Sequence, residues 1–216
     1  KKNMAKKKVG LKVPTANELS KRYGDMIVSA SDTKESGLWL PSTFFMLNYT
    51  FGGGIPFGKI LEVAGEESSG KSLIAYNFAY TTQQLGGHVI WVDAEQAWMN
   101  SWAQENGVDP NGVTVIRDTR IENIADALAD VAIYWRSQLT HNEPILLVVD
   151  SIAAMDCADN IDSKMVDGKS EMGGRAKALY KFFRIRSELF YKLGITQIYI
   201  NQLRTALNVG FGKDNT

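Results

Sequence analysis

The chain has 216 residues, 44% of them hydrophobic, and 24 basic against 24 acidic side chains, so its formal net charge is zero. That length and apolar content suit one large α/β domain with a small N-terminal arm, and the balanced charge excludes a global field that draws the protein to nucleic acid. A single cysteine, Cys157, excludes an internal disulfide and fits a reducing compartment, and no apolar run approaches membrane-spanning length.

Residues 1–14 are basic and without periodicity, which predicts a flexible arm, either a solvated tail or a contact to DNA or a partner. No apolar segment follows Lys1–Lys8, so the start does not read as a secretory signal, and a cytoplasmic protein is expected. Thr15-Ala16-Asn17-Glu18 is a capping-box pattern, followed by Ala16, Leu19 and Tyr23 at one-face spacing. The helix it predicts is too short to fold alone and needs the core or a neighbouring subunit. Residues 24–38 are polar and read as a connection. The expected division is therefore an N-terminal arm and oligomerisation helix over 1–39 and a core over 40–216.

In the core, Leu40 to Leu47 leads into the turn-rich stretch Gly52–Lys59, and Ile60–Ala64 reads as a short buried strand. Gly65-Glu66-Glu67-Ser68-Ser69-Gly70-Lys71-Ser72 then matches G-x-x-x-x-G-K-[ST], and Lys71 to Leu85 reads as a helix. His88–Val92 predicts a strand ending in Asp93-Ala94-Glu95, with a helix over roughly Met99–Asn106 and a strand over Val113–Ile116. Ile121, Ile124, Leu128, Val131, Trp135 and Leu139 form the stripe of a long amphipathic helix. The uninterrupted run Ile145–Val149 is that of a strand covered on both faces, and it ends in Asp150. Residues 156–173 read as a polar loop, Gly174–Leu193 as a helix and Ile195–Ile200 as a strand. Strands alternating with helices imply a mostly parallel sheet with ligands at its carboxyl edge.

Strand, glycine-rich loop and helix in that order make a nucleoside-triphosphate site. At ordinary residue frequencies the loop pattern arises by chance in roughly one chain of this length in a hundred. The glycines let backbone N–H groups turn toward phosphate oxygens, and the helix start adds its positive dipole end. Lys71 can reach the β- and γ-phosphates, and the Ser72 hydroxyl can ligate Mg²⁺. Asp150, at the end of its apolar run, suits a carboxylate that holds the Mg²⁺ shell through water. Glu95 can polarise the water that attacks the γ-phosphorus. Asp93 reads as structural, with the reverse assignment open, and Gln202 can hydrogen-bond the γ-phosphate. His88 and His141 lack metal-ligand spacing and read as structural. Cys157 lacks a basic neighbour and reads as a small buried residue.

Four segments together resemble the RecA recombinase family in order and spacing: Gly65–Ser72, Val92-Asp93-Ala94-Glu95-Gln96-Ala97, Val149-Asp150-Ser151-Ile152-Ala153-Ala154, and Ile200-Asn201-Gln202-Leu203-Arg204. The leader Gly53–Ile60 is similar as well, and divergence elsewhere points to a remote or phage-encoded member. The resemblance implies a three-layer RecA-like P-loop core, with ATP and Mg²⁺ as cofactors. It implies that Glu95 activates the hydrolytic water and that Gln202 senses the γ-phosphate and relays it to a DNA loop. Trp102 falls where the family stacks a tyrosine on adenine, and Met99 falls where the family has an aspartate that bonds the adenine amino group. Strict adenine specificity is not expected.

The resemblance further implies two DNA loops, at 158–173 and 203–216. Met172 and Leu207 are apolar wedges between bases, and Lys177, Arg184 and Arg204 are phosphate contacts. From the residues alone these segments read as solvated loops, although helical spacing puts Lys177, Lys181 and Arg184 on one face. The family core continues past the second loop, so the core is expected to be incomplete at the C-terminal end. The implied function is a DNA-dependent ATPase that forms a homo-oligomeric filament on single-stranded DNA and exchanges strands with duplex DNA. A hexameric helicase or KaiC-like ATPase, and a nucleotide-gated scaffold with negligible turnover, are the competing readings.

Overall fold

The computed structural model describes residues 15–32, 37–164 and 173–203. The chain divides into two units, one up to Gly37 and one from Leu38 onward. In the first, α1 (Ala16–Tyr23) starts at a reciprocal cap: Glu18 N donates to Thr15 Oγ1 at 3.3 Å, and Thr15 N donates to Glu18 Oε2 at 3.0 Å. Two 3₁₀ turns follow, Gly24–Met26 and Ala30–Asp32, where the sequence predicts only a connection.

The second unit opens with an antiparallel pair, β1 (Trp39–Leu40) and β2 (Ile55–Pro56), around a short helix α2 (Phe45–Phe51). The sequence does not announce α2, a seven-residue helix whose N-cap Phe44 makes no side-chain cap bond; Leu47 and Phe51 pack on the core while Phe45 and Tyr49 are each 75% accessible. Side-chain amides build its entry instead. Asn48 Oδ1 accepts from Ser42 N at 2.7 Å, and Asn77 Oδ1 accepts from Ser42 Oγ at 2.7 Å and Thr43 N at 2.9 Å.

Five strands form the central sheet: β3 (Ile60–Gly65), β4 (His88–Asp93), β5 (Val113–Ile116), β6 (Ile145–Asp150) and β7 (Ile195–Gln202). Their order is β3-β7-β6-β4-β5 and every pairing is parallel. The helices are α3 (Lys71–Gln84), α4 (Asn100–Glu105), α5 (Ile121–Gln138), α6 (Ala158–Lys164) and α7 (Gly174–Lys192).

Alternation along the strands divides the core into two layers. Val89, Trp91, Leu146, Val148, Ile198 and Ile200 pack with Ala75, Tyr76, Phe78 and Ala79 of α3. Ile90, Val92, Leu147, Val149 and Tyr199 pack with Ile121, Ile124 and Leu128 of α5 and Phe182 and Phe190 of α7. A sheet covered on both faces explains the unbroken apolar runs of β4 and β6.

Three expectations are corrected. β3 is an edge strand rather than a buried one, and Ile60 is 50% exposed. β7 runs on through Asn201 and Gln202, because both continue the ladder opposite Ala64 and Gly65. Part of the predicted loop 156–173 is α6, started by Asp156, whose Oδ1 accepts from Cys157 N and Asn160 Nδ2, both at 2.9 Å. Cys157 is buried there.

His88, at the start of β4, is buried against Trp135 with ring centroids 3.4 Å apart, and its Nε2 lies 2.9 Å from Thr114 Oγ1. Trp135 Nε1 donates to that same hydroxyl at 3.2 Å, so the hydroxyl proton is available to a neutral imidazole. Burial lowers the His88 pKa from 6.5 to about 4. A depressed base is neutral in the fold and charged in the acidic unfolded chain. Its contribution is complete above about 6.5 and is lost as pH falls toward about 4. Urea titrations should show a loss approaching 3 kcal/mol across that window, roughly the linked cost of such a shift, and His88→Phe should flatten the dependence.

Candidate nucleotide site at the carboxyl edge of the sheet

The loop from Gly65 to Ser72 joins the end of β3 to the start of α3. Its shape depends on left-handed backbone at Ser68 (φ 59°) and Gly70 (φ 86°). A Cβ at Gly65 would stand 2.8 Å from Ser69 Oγ, so a side chain there would force that hydroxyl to move. Beside the loop lies a cleft of about 360 Å³. It is lined by the loop and helix start from Glu67 to Leu73, together with Glu95, Trp102, Asp150, Ile200 and Gln202. Gly65 and Glu66 shape the loop without lining the cleft.

Lys71 is buried, and its Nζ donates to the Glu66 carbonyl at 2.5 Å. A phosphate in the cradle would offer that ammonium a charged acceptor in place of a neutral one. Ser72 Oγ donates to Asp150 Oδ2 at 2.7 Å. A hydroxyl and a carboxylate side by side at the cleft wall are hard oxygen donors of the kind that hold Mg²⁺ together with water and substrate phosphates, so these residues fit the cation. Asp150 is pushed above the usual carboxylate range, first by burial and then by Glu95 and Asp93, while the Ser72 bond and Lys71 act against the rise. A Mg²⁺ held here would add positive charge beside this carboxylate and favour its ionised form.

Asp93 and Glu95 leave β4 together and do different things. Asp93 is 2% exposed; its oxygens accept from Ala97 N at 2.8 Å and Trp98 N at 3.2 Å, and Arg117 Nε lies 3.4 Å away. It clamps a turn in which Gln96 adopts φ 55° and Glu95 projects outward. Glu95 Oε1 accepts from two donors, Ser151 Oγ at 2.5 Å and Gln202 Nε2 at 2.7 Å. Gln202 sits opposite Gly65 in the β3–β7 ladder, and Leu203 N donates to the Gly65 carbonyl at 3.0 Å. Glu95, rather than Asp93, therefore has a free face toward the cleft.

Beneath the cleft, Tyr76 stacks on Trp91 at 4.6 Å and leans on Trp98 at 5.6 Å. Burial, and next Asp150 and Asp93, push the Tyr76 hydroxyl up to about 12. Trp98 Nε1 donates to Asn100 Oδ1 at 2.8 Å, which orients the start of α4 and so Trp102, 44% exposed. Met99 is exposed and does not line the cleft.

Of the residues expected at DNA, Lys177 and Arg184 lie exposed on α7 together with Lys181. Met172, Arg204 and Leu207 fall outside the described residues. Sequence reasoning missed Ser151 and Arg175. Ser151 directly follows Asp150, a position from which a strand-end side chain reaches the neighbouring strand's loop, and that signal was readable. Arg175 carries no signal of its own among the many basic residues of α7.

The family model of the RecA N-terminal domain matches residues 13–216. The chain is 31% identical over 202 residues to Protein RecA of Mycoplasma mycoides, an overlap covering 92% of this chain and 56% of that relative. It is 30% identical over 217 residues to Protein RecA of Aquifex aeolicus, covering 99% and 60%, and 36% identical over 167 residues to that of Clostridium beijerinckii, covering 76% and 43%. The chain thus spans about half the length of the curated relatives it matches. With a glycine loop at the head of α3, acidic strand ends beside it and this similarity along most of its length, the chain belongs to the RecA family.

Proposed function

We propose that this chain is the nucleotide-binding core of a recombinase that uses ATP and Mg²⁺ to bind single-stranded DNA. It assembles a homo-oligomeric filament in the cytoplasm and promotes pairing and strand exchange with duplex DNA in recombination and repair. Backbone N–H groups of residues 65–72 cradle the phosphates, and Lys71 offsets charge on the γ-phosphoryl group. Ser72 and Asp150 hold the Mg²⁺, and Trp102 stacks on the base. Glu95 orients the attacking water and accepts its proton, and Gln202 reports the γ-phosphate. Lys177 and Arg184 contact DNA phosphates on α7; Met172, Arg204 and Leu207 belong to the loops that meet the bases.

The observation that carries this reading is the bond of 2.7 Å between Glu95 and Gln202. It joins the group facing the γ-phosphate position to the last residues of β7, from which the chain enters residues 203–216. Anisotropy of a labelled single strand, measured with a slowly hydrolysed ATP analogue and then with ADP, tests it. Binding should be at least about tenfold tighter with the triphosphate, a coupling of ordinary allosteric size. Equal affinities in the two states would overturn it.

A further inference from the structure

Glu95 Oε1 is the meeting point of two paths, since it accepts from both Gln202 and Ser151. The second path leads somewhere else. Ser151 is fully buried, and the 3₁₀ turn Ile152–Ala154 follows it directly. That turn is closed by Ala154 N on the Ser151 carbonyl and Met155 N on the Ile152 carbonyl, and Met155 is 1% exposed. The turn is therefore short, anchored and suited to move as one piece.

One side chain grips both of its ends. In the first turn of α7, Arg175 Nε donates to the Met155 carbonyl at 2.8 Å and Arg175 Nη2 donates to the Ile152 carbonyl at 2.9 Å. Only a planar guanidinium presents fixed parallel donors that span two carbonyls; a lysine at this place has a single point of charge. Two residues further along α7 stands Lys177, with Lys181 and Arg184 exposed on the same helix.

The geometry points to Arg175 as a positioning residue that couples the nucleotide cleft to α7 through Glu95, Ser151 and the Ile152–Met155 turn. Arrival of a γ-phosphate draws Glu95 into new contacts, Ser151 follows its acceptor, and the turn carries the start of α7 with it. Its consequence for DNA rests on the recombinase reading above; the coupling within the chain does not. The basic face of α7 is then presented in a nucleotide-dependent register, separately from the route through Gln202.

The test is amide hydrogen exchange of residues 174–184 in the intact protein, with a slowly hydrolysed ATP analogue against ADP, for the wild type and for Arg175→Met and Arg175→Lys. In the wild type the analogue should slow exchange there by about tenfold or more. In Arg175→Met that response should vanish while analogue affinity stays within about threefold, and Arg175→Lys should recover only part of it. A wild-type α7 whose exchange ignores the nucleotide overturns the inference, as does an Arg175→Met protein that responds like the wild type. A merely structural role would speed exchange equally in both nucleotide states and leave their ratio intact, which also overturns it. Because exchange is read without DNA, a failure of nucleotide-dependent DNA binding alone counts against the recombinase reading and leaves this one standing.

Discussion

Glu95→Gln should lower ATP hydrolysis by about 10²–10⁴-fold, the usual worth of a positioned general base, while analogue affinity stays within about threefold. The substitution isolates chemistry from architecture. The glutamine oxygen can still accept from Ser151 and Gln202, which lie 2.5 and 2.7 Å from the carboxylate it replaces, so the junction survives. What disappears is the capacity to take a proton from water. Glu95→Ala removes the acceptor as well, and it should lose nucleotide-dependent DNA binding along with hydrolysis. Phosphate release and single-strand anisotropy on both variants check the pair. Unchanged hydrolysis in Glu95→Gln would remove Glu95 from the reaction. Asp93 would not be its natural replacement, since that carboxylate is buried and engaged by Ala97, Trp98 and Arg117.

Asp150→Asn should act in opposite directions on stability and on binding. Asp150 is half-buried near Glu95 and Asp93, and it is held above the usual carboxylate range chiefly by burial. An acid raised in this way binds its proton more tightly in the fold than in the unfolded chain. The folded state is therefore favoured at low pH, and that advantage is lost as pH rises through the raised value. Asparagine removes the ionised form but can keep the Ser72 hydrogen bond. Without nucleotide, the variant should melt about 2–4 °C higher at pH 8, the change expected from roughly 1 kcal/mol in a domain of this size, and the gain should shrink on acidification. Mg²⁺-dependent ATP affinity should fall by about 10–100-fold, the cost typical of losing an outer-shell carboxylate. Calorimetric melting and nucleotide titration with and without Mg²⁺ separate the two effects. A variant that melts lower and binds Mg²⁺-ATP normally would contradict both halves.

The parts legible from sequence are those governed by local rules. A glycine loop needs its glycines wherever it occurs, and strands covered on both faces need apolar residues throughout, so β4, β6 and the segment 65–72 read directly. The capping box of α1 is likewise contained in four consecutive residues. Features that depend on partners distant in the chain did not read. β3 carries an apolar run like that of a central strand, broken only by Glu62, and its place at the edge follows from strand order. Ser151 and Arg175 gain their roles from contacts across 56 and 23 residues. α2 escaped because it is only seven residues long, is apolar on most sides and lacks a side-chain N-cap, so no periodic stripe or start signal marks it.

The aromatic stack below the cleft gives the protein an optical reporter of its own. Trp98 rests on Tyr76 and Trp91, takes its backbone position from Asp93 and directs its indole N–H to Asn100. It follows Glu95 in the same turn, and Trp102 lines the cleft. Any rearrangement of that turn changes what surrounds an indole, and a base stacked on Trp102 changes the solvent exposure of another. If a nucleotide base stacks on Trp102 as proposed, intrinsic emission should change with occupancy as well as with movement of the turn, without a label attached to the chain.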